Sequence, residues 1–301
     1  MREALRNFVL ATLSVLMLVA IGGLVIRNRA LSKPLSHPFP HKILEATERS
    51  KPVLVALRGD SAHFPANSPA AFEKAAALNP DLVLWVDVFA TGDGHLVAWT
   101  NKDLSVDTDG KGWVTYEKLA DLQKLDAAFK TTFDGGKTFP FRGTGVRIQT
   151  LSDVLKAHPD RLFVINFQDY KEGMRESVAK VFEETKAGER SLVTSPEDGI
   201  LRDLRESHPT WIFGTSQAQT TRLLMLADIF IAVATPMKGD IFVWDSNSPL
   251  SRLSDRAWAE IQRREMKSFI TIRKTDDLGT WKARASALVN EDPAWLLENA
   301  R

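Results

Sequence analysis

Arg58 and Asp87 are the two charged residues whose settings best suit chemistry on an anion. A guanidinium presents a planar fork of donors that matches a phosphate. Asp87 lies in Leu84-Trp85-Val86-Asp87-Val88, a run of strand character. Residues two apart on a strand face one side, so Trp85 and Asp87 share a face. A magnesium ion often needs only one or two protein carboxylates when a substrate phosphate completes its shell. Asp87 therefore suits a cation carried with a phosphate ester, and Arg58 suits the ester itself. The plainer alternative is a structural ion pair between the two. His63, in the loop before Pro65, and His95, after the Gly92-Asp93-Gly94 turn, are the histidines expected near the mouth of the fold that could carry a proton. Both positions are common places for solvated side chains. Trp85 and Trp99 offer aromatic faces that either stack on a headgroup or fill a pocket. The chain contains no cysteine, which excludes thiolate metal sites, disulfides and a cysteine nucleophile.

The elements that must position these residues alternate in type. Val53 to Leu57 reads as a first strand, followed by a helix from Ser68 to Leu78 with Pro69 in its first turn. Strands follow at Leu82 to Phe89, His95 to Trp99 and, beyond a short helix at Leu151 to Ala157, Leu162 to Phe167. Later strands are expected at Ser191 to Thr194, Trp211 to Gly214, Ile241 to Trp244, Ser268 to Ile272 and Ala287 to Val289. Helices are expected at Glu172 to Lys186, Glu197 to Ser207 and Asp255 to Arg264. Repeated β-α units imply a parallel sheet, and about 250 residues is the usual size of a closed (β/α)8 barrel. The α/β class with a (β/α)8 TIM-type barrel is the reading. Trp113, Tyr116 and Leu119 to Leu125 form a small excursion after the second strand, suited to packing or to a partner surface.

The 301 residues divide into an N-terminal tail (1–7), an apolar segment (8–26), a Pro- and His-containing linker (27–50) and the barrel (51–301). Phe8 to Ile26 carries no charge and is close to the roughly 20 residues needed to cross a bilayer. A secretory signal is the competing reading, with Ala20 and Gly22 at the cut. The run continues through Leu24, Val25 and Ile26, which favours an uncleaved single-pass anchor. Arg27, Arg29 and Lys33 against Arg2 and Arg6 lean toward a cytoplasmic domain, whereas an uncleaved export signal puts it outside. The side of the membrane stays open. With a net charge of +1, the chain lacks the basic footprint that nucleic acid requires.

Leu57-Arg58-Gly59-Asp60-Ser61, then Pro65-Ala66-Asn67-Ser68 and Ala71-Phe72, resembles the opening HRG-x-S…PENT-x-x-AF of glycerophosphodiester phosphodiesterases. Leu84 to Val88 is similar to that family's I-E-x-D-V strand, and Asp107 to Gly112 to its TTDG-x-G loop. Phe141-Arg142-Gly143 and Arg147 to Leu151 look like its FRG…RIPTL segment, Ile165 to Gln168 like I-E-I-K, and Val289 to Leu297 like ITDRPDLL. The pieces occur in order across most of the barrel.

The resemblance implies two histidines as general acid and base, and a divalent cation held by carboxylates at the C-terminal ends of strands. At those positions this chain has Leu57 and Thr100 for the histidines, and Trp85 and Asn166 for two of the metal ligands, leaving Asp87. Ala66 replaces the glutamate of the PEN element and Gln168 a lysine, while Arg58 and Asn67 remain. Ala66, Asn67, Trp99 and Gln168 are expected around the pocket. Carboxylates about 5 Å apart repel by roughly 3 kcal/mol at an effective dielectric near 20, so a metal site that has lost its ion gains from losing charge. The expected protein is a membrane-held, non-catalytic barrel without a cofactor that binds a phosphate ester or another protein. The alternative is a divergent hydrolase of glycerophosphodiesters or phospholipid headgroups that uses magnesium or calcium.

Overall fold

The computed structural model describes residues 2–31, 37–48, 52–229, 232, 235–246 and 253–300. Nine strands form one sheet: β1 (Val53–Leu57), β2 (Val83–Ala90), β3 (Leu96–Ala98), β4 (Phe163–Phe167), β5 (Ser191–Thr194), β6 (Ile212–Phe213), β7 (Ile241–Asp245), β8 (Lys267–Thr271) and β9 (Ala287–Asn290). Eight run parallel in the order β6-β5-β4-β2-β1-β9-β8-β7, and β3 pairs antiparallel with β2 off that path. The ring nearly closes between β6 and β7 through one bridge, Gly214 to Ile241. Thr215 N donates to Ile241 O at 2.9 Å and Asp240 N to Phe213 O at 2.7 Å across that gap. A Cβ on Gly239 would sit 2.5 Å from Thr215 N, so the seam admits only glycine there.

The expected helices are present within a residue or two of their expected ends: α3 (Pro69–Leu78), α5 (Leu151–Ala157), α6 (Met174–Thr185), α7 (Asp198–Ser207) and α9 (Asp255–Arg263). Local chemistry sets their starts. The Ser68 hydroxyl accepts from Ala71 N with Pro69 behind it, and Thr150 with Asp153 forms a reciprocal capping box. Also present are α1 (Arg2–Leu31), α2 (Lys42–Thr47), α4 (Leu119–Leu122), α8 (Gln217–Asp228), α10 (Leu278–Arg284) and α11 (Pro293–Asn299). Inward side chains of the strands, among them Val55, Val164, Leu192 and Phe269, fill the barrel. Outward ones pack on α3, α5, α6 and α7 on one side and on α8, α9 and α11 on the other. The excursion between β2 and α5 has its own small core of Phe89, Val97, Trp99, Leu104, Val114 and Ile148.

Helix α1 is long and apolar enough to cross a membrane over Arg2 to Gly23, and none of that apolar window is buried against the protein. The helix continues past Ile26, the expected end of the span.

The stretch 27–50 is not simply a linker. Residues 37–48 are folded onto the barrel, and only 32–36 and 49–51, including the expected domain start at Lys51, lie outside the described residues. His41 caps α2 by accepting from Ile43 N, and its Nε2 lies 2.9 Å from Gly188 O. Burial holds the His41 imidazole below its ordinary pKa, in keeping with a neutral ring in that role. Ile43 and Ala46 join the core inside the barrel and close its floor. Composition misled here, because a histidine that read as punctuation caps a short helix.

Truncating Ile43, 1% exposed, to alanine should lower unfolding stability by about 2–4 kcal/mol. Urea denaturation followed by tryptophan fluorescence measures this; a loss below about 1 kcal/mol would mean that α2 is not part of the barrel floor.

Candidate functional site

The C-terminal ends of the strands open into a cavity of about 380 Å³ that carries Arg58, Trp85, Asp87, Asn166, Gln168 and Asp245 among its walls. Pairing of β2 with β4 sets Asp87 directly opposite Asn166. Asp87 is 4% exposed, and its oxygens are surrounded by donors. Oδ1 accepts from Trp85 Nε1 at 2.9 Å and from Asn166 Nδ2 at 2.9 Å. Oδ2 accepts from the Thr100 hydroxyl at 3.2 Å and faces Arg58 Nε at 4.0 Å. Asn67 closes the ring: its Nδ2 donates to Thr100 Oγ1 at 2.7 Å and its Oδ1 accepts from Asp87 N at 3.1 Å.

The backbone is bent to achieve this. Arg58 and Asn67 both hold left-handed conformations, φ 59° and 58°, which side-chain-bearing residues adopt at a cost of about 1–3 kcal/mol. Asn67 N donates to Arg58 O, and Arg58 N to Trp85 O, so the two strained residues are tied to each other and to β2. Gly59, φ 79°, lets the loop pass over α3, where a Cβ would lie 2.6 Å from the Ala71 carbonyl carbon.

A divalent cation binds through oxygen lone pairs. On Asp87 three of the roughly four such directions are taken by an indole N–H, an amide N–H and a hydroxyl, and the first two come from the positions of the expected ligands. The donor set does not fit such an ion. Arg58 stands between its two expected roles: it faces Asp87 across 4.0 Å, yet its buried Nε makes no hydrogen bond and its side chain lines the cavity.

Leu57, Thr100 and Gln168 border the cavity. Ala66 and Asn67 are not among its lining residues, and Asn67 acts from behind through Thr100. Trp99 belongs to the excursion core instead of the pocket, because alternation along β3 turns it toward Phe89 and Leu104. No histidine lines the cavity among the described residues. His63 is paired with Asp60 at 2.7 Å and His95 with Asp93 at 3.3 Å, both more than half exposed. The Thr91 hydroxyl, with help from His95, holds the Asp93 carboxyl down to about 2. Asp60, His63 and Asp292 bring one ligand atom each within 4.8 Å of one another. Lys274 Nζ, 2.6 Å from Asp292, already supplies the cation of that group. Burial pushes the Asp292 carboxyl up, but Lys274 and the Trp295 N–H outweigh it and leave it below the ordinary carboxylate range.

The far wall was not foreseen. Thr194 and Asp245 end β5 and β7, Thr271 ends β8, and Thr215 and Trp244 stand beside them. The available signal was position: an inward residue at the last place of each strand must face the mouth.

Comparison with known proteins places this geometry. Residues 58–194 match the family model described as glycerophosphoryl diester phosphodiesterase family. A glycerophosphodiester phosphodiesterase of Caldanaerobacter subterraneus subsp. tengcongensis is 32% identical over 164 residues, 53% of this chain and 64% of that protein. An uncharacterized Mycobacterium tuberculosis protein is 33% identical over 151 residues, half of each chain. The chain thus spans between half and just under two thirds of these relatives. The crystal structure of the phosphodiesterase domain of a Mycobacterium tuberculosis protein superposes with a TM-score of 0.67 at 22% identity, covering 83% of this chain and 99% of that one. An Oleispira antarctica phosphodiesterase solved with the product sn-glycerol-3-phosphate gives 0.61 at 18% identity, covering 84% and 98%. Both share the barrel fold.

Restoring a carboxylate tests the shell around Asp87. Asn166→Asp sets two carboxylates side by side, and at an effective dielectric near 20 this should cost about 2–4 kcal/mol at pH 7. One of the two is then forced to a raised pKa. The deficit is full above that value and shrinks as pH falls through it. Thermal denaturation of the variant and the parent at pH 7 and pH 5 checks this; an unchanged gap between them at the two pH values would contradict it.

Proposed function

We propose, from a chain whose residues 58–194 form a domain of the glycerophosphoryl diester phosphodiesterase family, that this protein is a membrane-anchored member that binds at the barrel mouth without cleaving. The observation that carries the reading is the hydrogen-bond shell of Asp87. Trp85, Asn166 and Thr100 donate to Asp87, the one carboxylate left at the positions that match the family's ligands, and this supports a site in which that group neither holds a cation nor serves as a base. General acid-base work needs an imidazole or a comparable group within reach of the scissile atoms. Leu57 and Thr100 cannot exchange a proton near neutral pH, and His63 and His95 are engaged by Asp60 and Asp93 away from the cavity. On this reading no metal cofactor is required.

Binding remains chemically reasonable. Arg58 lines the cavity, its Nε makes no hydrogen bond and faces Asp87 only across 4.0 Å, and such a guanidinium gains from an anion such as a phosphate ester. A protein segment that brings an acidic side chain is the other ligand of this kind. The anchor in this reading is α1, whose apolar window has no buried part and is flanked in sequence by Arg2 and Arg6 at one end and Arg27 and Arg29 at the other. A bilayer is the environment that such a surface favours. The same helix, cleaved, would be a signal.

Purified protein incubated with glycerophosphocholine and either magnesium or calcium should release no product. Turnover that disappears in Asp87→Ala would overturn the reading in favour of a divergent hydrolase. Binding of glycerol phosphate, measured by calorimetry, should weaken on Arg58→Ala by about 1.5–3 kcal/mol, roughly tenfold or more.

A further inference from the structure

The cavity at the barrel mouth is continued outside its rim. A groove of about 700 Å³ lies between the loop that enters α7 and the outer face of α8. Pro196, Gln217 and Thr221 line both the cavity and the groove. The groove therefore begins at the rim, with Pro196 on one bank and the first two turns of α8 on the other. Hydrogen bonds fix both banks. Glu197 N donates to Ser195 Oγ at 3.0 Å, which sets the turn at Pro196. The Asp198 carboxylate, at the start of α7, accepts from Ser216 Oγ and Gln219 Nε2 at the start of α8. A ligand need not order these walls, which favours binding.

Along α8 the groove follows one helical stripe. Ala218, Arg222, Met225 and Ile229 recur at spacings of three and four, so they share a face. Leu223, Leu224 and Ala227 on the other face are buried against the barrel. Met225 is 66% exposed and Ile229, just past the helix end, 61%. Arg222 can lay its aliphatic stem along this face and keep its charge in water. From Gln217 to Met225 the stripe runs for about 12 Å.

The two ends of this path differ in chemistry. Inside the mouth, Arg58 offers an anion site beside the hydroxyl-bearing Thr194, Ser195 and Thr271. Outside it, Pro196, Ala218, Met225 and Leu226 offer an apolar track. A compact anionic head on a single hydrocarbon chain matches both. An extended peptide matches the track less well, because its backbone N–H and C=O groups need partners and a helix interior has already paired its own. A hydrocarbon chain brings no such groups.

We infer that the ligand of the mouth is a phosphate ester carrying one aliphatic chain, with the phosphate at Arg58 and the chain laid over the rim along α8 to Met225. The inference rests on the reading that the Arg58 cavity binds a phosphate ester, and it favours that ligand over an acidic protein segment.

The full chain in phosphatidylcholine nanodiscs is titrated by calorimetry with glycerol 3-phosphate, octanoylglycerol 3-phosphate and octanoylglycerol, with empty discs as the blank for partition into lipid. The octanoyl phosphate should bind about tenfold or more tighter than glycerol 3-phosphate, since each methylene half removed from water is worth about a twofold gain. Octanoylglycerol, which lacks the phosphate, should not bind. Arg58→Ala should weaken both phosphates. Met225→Glu and Ala218→Glu, both at exposed helix positions, should bring the ratio of the two phosphate affinities close to one, and in that ratio any effect of the new charge on the phosphate itself cancels. An octanoyl phosphate no tighter than glycerol 3-phosphate, or a gain that survives both substitutions, would overturn the inference, while Arg58-dependent binding of glycerol 3-phosphate would leave the phosphate-binding reading standing. If neither phosphate binds, that reading falls and the inference with it. Met225-dependent binding of an acidic peptide, with no gain from the octanoyl chain, would give the groove to a protein segment and equally overturn the inference.

Discussion

A buried carboxylate is the constraint around which the mouth of this barrel is built. Asp87 is almost fully removed from water, and an ionised group there is tolerated only when its oxygens are surrounded by donors. Each donor comes from a different element. Trp85 lies two residues back on the same strand, Asn166 directly across on β4, and Thr100 on the excursion held by Asn67. The β2-β4 register, the left-handed turn at Asn67 and the docking of the excursion therefore depend on one another. Loss of any one leaves a charge short of a donor, and a hydrogen bond to a charged group is typically worth about 1.5–3 kcal/mol.

The same arrangement explains why the replacements at Trp85 and Asn166 belong together. A cation neutralises a cluster of carboxylates, and N–H donors can take that place only when a single carboxylate is left. Trp85 supplies both volume and a donor, so it fills interior space inside the barrel while its indole N–H reaches the strand end. The opposite end shows a complementary economy of means. There the floor is sealed by Ile43 and Ala46 from a segment whose polar residues also fix where the N-terminal helix joins.

Much of the barrel was legible because alternation of short apolar runs with amphipathic stretches is a strong signal, and the strands fell where those runs lie. Helix α8 was missed because its first half, Gln217 to Thr221, is polar and its cap, Ser216, follows a glycine seam that reads as loop. Helix α2 was hidden in a proline-rich stretch. At the site, Trp85, Asp87 and Asn166 were legible as a group because period-two spacing and family resemblance converge on them. Thr194, Thr215 and Thr271 were not, since threonine at a strand end is equally explained by β propensity. Trp99, one residue past the three-residue β3, continues the alternation of that strand and packs with Val97 in the excursion core instead of the pocket.

The central claim is that the Trp85 indole N–H occupies Asp87 in place of a cation. Its amide-type resonance in a two-dimensional ¹H–¹⁵N spectrum reports this directly. The account predicts a Trp85 Nε1–H signal that exchanges slowly with solvent and stays in place as magnesium or calcium is added to millimolar levels. A signal that exchanges freely, or that moves with saturation as either ion is titrated, would contradict it.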